Sequence, residues 1–333
     1  MATPVEIATI IGDGAMGTVC GLILAGRGLN VRLWGPFEEQ IRQITAHREN
    51  RRFLPGHPLP DNLHATADKG EALTDAELII SAVPCQYMRS VWEGLSRCYP
   101  RGVPVCSVTK GLEIDHLMWP TQIIRDVLGD VPVVALSGPS IAPEVARGLP
   151  ATVVAAADDL NLAGLVQRAF STETFRVYTN NDRIGVELAG ATKNVIALAA
   201  GIIDGIGAGD NAKAALLTRG LVEITRLGAA MGAQPSTFKG LAGIGDLVTT
   251  CISPIGRNRS AGEKIGRGMS VQEVMDSTPS VIEGIPTTEA VLELALRHNI
   301  EMPITHAVFS VLHDHRSPRE AIHDLMTRQL KPE

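Results

Sequence analysis

The chain has 333 residues, room for two separate cores, and its 30 basic against 36 acidic side chains give a formal charge of −6. That mild acidity argues against a nucleic-acid-binding role, which shows as a basic domain or stripe. Cys20, Cys85, Cys98, Cys106 and Cys251 are odd in number, scattered and without a C-x-x-C pair, the pattern of reduced thiols in a cytoplasmic protein.

Residues 1–6 carry neither a basic nor an apolar region, so no export signal is expected. Residues 5–11, VEIATII, predict a buried strand. They lead into residues 12–17, GDGAMG, then into a helical pattern through Val19, Leu22, Ile23 and Leu24, and a second strand at residues 30–34. This strand–glycines–helix–strand order favours dinucleotide binding over a plain glycine turn. Gly12 then permits the tight turn, Gly14 lets the backbone approach a pyrophosphate, and Gly17 lets the helix pack on the strand. The helix N-terminus offers N–H groups and a positive dipole end.

The second strand ends in Leu33-Trp34-Gly35-Pro36. It lacks the acid that binds the ribose 2′-OH in NAD-selective domains, and also the arginine common in NADP sites. Glu38 and Glu39 stand where a helix start welcomes acids. Dual specificity with a modest preference for NADP(H) is predicted. Residues 39–66 are polar, with several arginines and with Pro55, Pro58 and Pro60. They predict a helix followed by an irregular excursion, with no chemistry assigned.

Further strands are predicted at residues 77–83, 103–108, 131–136, 152–157 and 175–180, with helices between them such as residues 86–96 and 119–128. The alternation points to an α/β fold. Ligands bind beyond the carboxyl ends of such strands, so the loops at Pro84, Lys110 and Gly138 are candidates for one cleft. A lysine after a strand is otherwise a solvated loop residue.

After residue 184 helical periodicity takes over, which divides the chain into domains 1–184 and 185–333. Residues 185–201 predict a helix apolar nearly all round, the mark of a buried element. It carries Lys193 and Asn194. A lysine in an apolar setting loses hydration of its charged form and comes into the range for proton exchange near neutral pH; the alternative is a lysine that snorkels out from the helix edge. The run at residues 195–203 is too short to cross a bilayer. Residues 201–209 predict a glycine-rich loop and residues 210–231 a long helix. Asp246, flanked by apolar residues, is costly to bury alone, and Lys193 is a suitable partner. Arg257 can hold a phosphate bidentately, although an R-N-R run by itself is more often a solvated surface. His313 and His315 lack metal-site spacing, and no metal is predicted.

Together these pieces closely resemble the bacterial NAD(P)-dependent glycerol-3-phosphate dehydrogenases over almost the whole chain. The likeness is carried by residues 12–17, Leu33-Trp34-Gly35, Val83-Pro84, Thr109-Lys110-Gly111-Leu112-Glu113, Ser137-Gly138-Pro139 and Lys193-Asn194-Val195-Ile196. It continues through Asp204-Gly205-Ile206-Gly207, Thr218-Arg219-Gly220-Leu221, Gly245-Asp246-Leu247, Arg257-Asn258-Arg259 and Glu283-Gly284.

The resemblance implies an α/β Rossmann-type dinucleotide-binding N-terminal domain plus an all-helical C-terminal domain of the 6-phosphogluconate dehydrogenase C-terminal type. It implies an active site between them, a cytoplasmic homodimer, and NADP or NAD as coenzyme. The implied reaction is reversible hydride transfer to C2 of dihydroxyacetone phosphate, giving sn-glycerol 3-phosphate for phospholipid synthesis.

By position, Lys193 matches the general acid/base, with Asp246 and Lys110 beside it in the catalytic set. Gly138, Ser140 and Asn194 match substrate contacts, and Gly256, Arg257 and Asn258 the phosphate site. Gly12, Gly14, Ala15, Met16, Gly17, Pro36, Pro84, Lys110, Ala142, Arg257, Val281 and Glu283 match coenzyme positions. Four residues depart from the usual pattern: Asp13, Ala15, Met16 and Ser140. An acid at position 13 repels the phosphates unless it points away. Two rivals are a dehydrogenase of β-hydroxyacids such as 6-phosphogluconate and a catalytically inactive nucleotide-binding paralogue. The Lys193-Asn194 and Arg257-Asn258 pairs argue against the first, and retention of Lys193 and Asp246 against the second.

Overall fold

The computed structural model describes residues 5–278 and 280–330; the expectations made for residues 1–4 and 331–333 lie outside them. The chain forms two compact units. One holds the chain up to Lys110 together with Pro120–Val186, and the other holds Gly111–Trp119 together with the chain from Glu187.

The first unit is built on eight strands: β1 (Ile7–Ile11), β2 (Asn30–Trp34), β3 (Leu63–Thr66), β4 (Leu78–Ser81), β5 (Val105–Ser107), β6 (Val133–Ser137), β7 (Ala151–Ala156) and β8 (Phe175–Asn180). They lie in the order β3-β2-β1-β4-β5-β6-β7-β8, parallel except for the antiparallel pair β6–β7. All residues of β4 and of β6 are buried, as expected of strands covered on both faces. The strand order turns back at β1, between β2 and β4, which makes the end of β1 a topological switch point where such sheets bind ligands.

Strand β3 falls inside the stretch expected to be irregular. Its sequence, LHAT, is four residues long with only Leu63 and Thr66 buried, too short to show a period. Pairing with β2 in the register Val31↔Leu63 to Trp34↔Thr66 makes it a strand.

The second unit is helical. Its central helix runs Arg183–Ile206, 24 residues, past the expected end at 201. It is long and apolar enough to cross a membrane, but its apolar window is wholly buried inside the protein. Leu188, Val195, Ile196, Leu198 and Ile203 form part of the second unit's core. The expected loop at residues 201–209 is helical to Ile206, because its glycines serve packing and not turning. A Cβ on Gly201 would stand 1.9 Å from the Arg259 carbonyl oxygen, and one on Gly205 2.4 Å from that of Glu263. In return, Gly262 and Gly266 of the helix Arg257–Gly266 meet the carbonyls of Leu198 and Ile202. The true loop begins at Gly207 and Gly209, both at positive φ. Leu112, Leu117 and Trp119 pack in this same core, although sequence order places them in the N-terminal half.

Candidate active site

In the first unit, β1 runs directly into residues 12–17. Gly12 has φ +114°, and its N–H donates to the Trp34 carbonyl at 2.9 Å. A Cβ there would press on the Ala82 carbonyl at 2.8 Å, and one on Gly17 would stand 1.9 Å from the Gly12 carbonyl. Gly14 differs: nothing among the described residues lies within 4 Å of where its Cβ would be. It caps the helix Ala15–Gly26 with no side-chain acceptor. The first turn of that helix, with Ala15 and Met16 half-buried, therefore meets an approach that only glycine leaves open. An open backbone cradle at the positive end of a helix fits a dinucleotide pyrophosphate.

The Asp13 carboxyl turns toward the end of β2. A Cβ on Gly35 would stand 2.7 Å from the Asp13 Cγ. Asp13 is buried, at 7 % exposure, and its Oδ2 has no hydrogen-bond partner among the described residues. Burial pushes its carboxyl pKa up, offset in part by its own backbone N–H and by the charge of Arg52. The Asn50 amide fixes the loop by donating to the Asp13 carbonyl at 2.7 Å and to Thr18 Oγ1 at 2.8 Å.

Three predicted substrate residues meet at one carbonyl. Lys110 Nζ donates to the Gly138 oxygen at 2.9 Å, and Ser140 Oγ donates to it at 3.0 Å. Thr109 Oγ1 donates to the Val83 carbonyl at 2.6 Å, tying the loop after β5 to the loop before Pro84. Pro84 caps the helix Cys85–Leu95, Ala142 opens the short helix Ala142–Ala146, and Pro36 is exposed just after β2. These three bring apolar surface and no polar side chain.

In the second unit, Lys193 Nζ donates to Asp246 Oδ1 at 2.5 Å and to Thr250 Oγ1 at 2.6 Å. The lysine and aspartate side chains are 7 % and 2 % exposed. Asp246 begins the helix Asp246–Ile252 directly after a π-helical turn at Leu241–Gly245. That turn is tight: a Cβ on Gly243 would stand 2.1 Å from the Phe238 carbonyl. Single π turns recur at functional sites.

Thr250 was not among the predicted site residues. It lies four residues after Asp246 on the same helix, and that spacing, which puts two side chains on one face, is the signal that identifies it. A buried ammonium fixed by a carboxylate and a hydroxyl can protonate an oxygen on which negative charge builds.

Beside it, Asn258 Nδ2 donates to Asn194 Oδ1 at 2.9 Å, and the Gly284 N–H donates to Asn258 Oδ1 at 2.9 Å. Gly256 caps the helix Arg257–Gly266, so Arg257 stands in its first turn, exposed, with Nη1 donating to the Val281 carbonyl at 3.1 Å. An arginine at a helix N-terminus suits an anionic group. Glu283 is buried immediately before the helix Gly284–Arg297. Arg259, the other arginine of the R-N-R run, turns inward to Asp204 at 2.6 Å and Glu263 at 3.2 Å, a structural task.

Residues 7–163 match the family model described as the N-terminus of NAD-dependent glycerol-3-phosphate dehydrogenase, and residues 182–323 match that of its C-terminus. A protein of Prosthecochloris aestuarii named glycerol-3-phosphate dehydrogenase (NAD(P)+) is 47% identical over 330 residues, covering 98% of this chain and 99% of the relative. One of the same name from Streptomyces coelicolor is 44% identical over 335 residues, covering 100% and 99%. The crystal structure of glycerol-3-phosphate dehydrogenase from Coxiella burnetii is similar at a TM-score of 0.94 and 37% identity, covering 97% of this chain and 99% of that one.

Proposed function

Because this chain belongs to the NAD-dependent glycerol-3-phosphate dehydrogenase family, we propose that it transfers hydride reversibly between NAD(P)H and C2 of dihydroxyacetone phosphate, forming sn-glycerol 3-phosphate. The observation that carries the reading is the buried Lys193 held by Asp246 and Thr250. When bound, the reduced coenzyme supplies the hydride. As C2 accepts it, charge builds on the carbonyl oxygen, and Lys193 donates the proton there; in the reverse direction Lys193 takes the proton back. Asp246 and Thr250 hold Nζ in place, so little reorganisation accompanies the transfer.

Arg257, with Gly256 and Asn258 at the same helix start, anchors the substrate phosphate, and that remote binding energy positions the reacting carbon. Lys110, Gly138, Ser140 and Asn194 complete the substrate contacts. The loop at residues 12–17 holds the pyrophosphate, with Pro36, Pro84, Ala142, Val281 and Glu283 as further coenzyme positions. The same reading makes the protein a cytoplasmic homodimer whose product feeds phospholipid synthesis; family membership supports it, and scattered cysteines without a C-x-x-C pair suit a reducing compartment.

The test follows NADH and NADPH oxidation with dihydroxyacetone phosphate. Turnover with that ketone and not with a β-keto acid is expected. Turnover with the β-keto acid alone moves the chain to the 6-phosphogluconate type of chemistry, and coenzyme binding without any turnover marks an inactive paralogue.

A further inference from the structure

Strand β2 ends at Trp34 and is followed by Gly35, the place from which an NAD-selective Rossmann domain extends an acid to the ribose 2′-OH. A carboxyl is nevertheless present there. A side chain on Gly35 would begin 2.7 Å from Asp13 Cγ and 2.9 Å from its Oδ1, so the Asp13 carboxyl occupies the space that a side chain at the strand end would take. We propose that Asp13 sets the choice of coenzyme: its carboxyl stands in from the glycine loop for the acid missing at the end of β2, accepts the adenosine ribose 2′-OH, and makes the protein prefer NAD(H) to NADP(H). The proposal rests on the reading that residues 12–17 hold the dinucleotide, and it reverses the preference expected from the strand end alone.

Three observations support it. First, Asp13 Oδ2 is buried with no hydrogen-bond partner among the described residues, so the group gains from any donor brought to it. The carboxyl's terminal torsion is soft, so either oxygen can be presented at small cost. A ribose 2′-OH supplies a donor and forms a charge-assisted bond, the stronger kind. A 2′-phosphate supplies mainly charge of the same sign.

Second, the loop is fixed in this orientation by the Asn50 amide on the Asp13 carbonyl and by the Gly12 N–H on Trp34. Those bonds hold the backbone from which the carboxyl projects, so its starting point beside the strand end is fixed. Third, the neighbouring acids are otherwise employed. Glu39 accepts from Arg42 at 2.6 Å and Gln43 at 2.8 Å on its own helix, and Glu38 is exposed in the same first turn. The cation that offsets the Asp13 charge is Arg52, whose guanidinium lies over the Phe53 ring at 5.0 Å.

The experiment measures kcat/KM for NADH and NADPH with dihydroxyacetone phosphate, and Kd for both by coenzyme fluorescence, in the wild-type protein and in Asp13→Ala. The wild type is expected to favour NADH by on the order of tenfold or more, the range of a hydrogen bond to a charged group. In Asp13→Ala the ratio is expected to fall to within about threefold, NADH losing and NADPH gaining.

A wild type that favours NADPH or shows no preference overturns the proposal, as does a preference for NADH that survives in the variant. A wild type that binds neither coenzyme overturns the reading of the glycine loop itself, a different and recognisable failure. Should Asp13→Ala not fold, Asp13→Asn replaces it, and inhibition of the wild type by ADP is compared with inhibition by its 2′-phosphorylated counterpart. Stronger inhibition by ADP is expected, and the opposite order refutes the assignment.

Discussion

The Lys193–Asp246 pair allows stability and catalysis to be separated by a double-mutant cycle. The two side chains are 7 % and 2 % exposed and 2.5 Å apart. Removing one member leaves the other charge buried without its counter-ion, which typically costs about 3–5 kcal/mol. Replacing both by apolar residues of similar volume is often neutral or stabilising, by about 1–4 kcal/mol. Lys193→Met and Asp246→Leu are therefore each expected to lower the thermal midpoint markedly, and the double variant to recover most or all of the loss.

Activity should behave differently. Without the general acid the chemical step falls by roughly 10²–10⁴-fold, so the double variant is expected to be stable and inactive. The assay pairs thermal and urea unfolding with turnover of dihydroxyacetone phosphate. Additive stability losses, with a coupling below about 0.5 kcal/mol, would show that the two charges do not depend on each other and would refute the reasoning. Wild-type turnover in Lys193→Met would remove the lysine from the mechanism.

Gly262→Ala places a methyl group 2.0 Å from the Leu198 carbonyl; overpacking of this kind costs about 1–3 kcal/mol, and both the thermal midpoint and kcat are expected to fall, whereas an unchanged midpoint would deny the close helix contact. Arg257→Ala is expected to raise KM for dihydroxyacetone phosphate far more than KM for unphosphorylated dihydroxyacetone, because the charge-assisted contact exists only with the phosphate; equal effects on both substrates would give Arg257 another role.

Glu223 accepts the Ile304 and Thr305 N–H groups at 2.7 and 3.3 Å, and burial pushes its carboxyl up to about 7, against the lowering effect of those bonds and of Arg226. The folded state thus holds this proton more tightly than the unfolded chain, a contribution to stability fully present below about pH 4 and lost as pH rises through about 7, worth roughly 3 kcal/mol. Glu223→Gln is expected to flatten the decline of the thermal midpoint between about pH 5 and pH 8; an unaltered slope would assign that decline to other groups.

Much of this architecture is legible in the sequence because its cues are local. The Gly12, Gly14 and Gly17 spacing and the buried strands β4 and β6 each declare themselves within a few residues. Strand β3 does not: LHAT becomes a strand through pairing with β2, and no property of its four residues records the partner. The stretch 201–206 misleads for a related reason. Glycine usually breaks helices through its conformational freedom, but Gly201 and Gly205 are there because a neighbouring backbone leaves no space for a side chain.

At the candidate site, the apolar surroundings of Lys193 and Asp246 point to a pair, while Thr250 becomes visible only once Asp246 is known to open a helix. For Asp13 the residue is plain in the sequence and the direction of its carboxyl is not. Composition cannot say whether an acid in a glycine loop faces a phosphate or a strand end.

The helix contacts bear directly on the chemistry. Lys193 and Asn194 are consecutive on the central helix, and Arg257 and Asn258 are consecutive on the helix packed against it. Gly201, Gly205, Gly262 and Gly266 let these two backbones touch without side chains between them. The Asn258–Asn194 hydrogen bond closes the contact next to Lys193, and the Gly284 N–H holds Asn258 from the other side. The separation of the proposed proton donor, Lys193, and the proposed phosphate anchor, Arg257, is therefore set by backbone against backbone, in an interior as closely packed as a crystal. A substrate gripped at its phosphate presents its carbonyl at a fixed distance, and a displacement of about 1 Å there can cost on the order of 100-fold in rate. On the proposed mechanism, glycines more than two helical turns away from Lys193 are therefore expected to matter to its function, and a methyl group at Gly262 to lower kcat as well as stability.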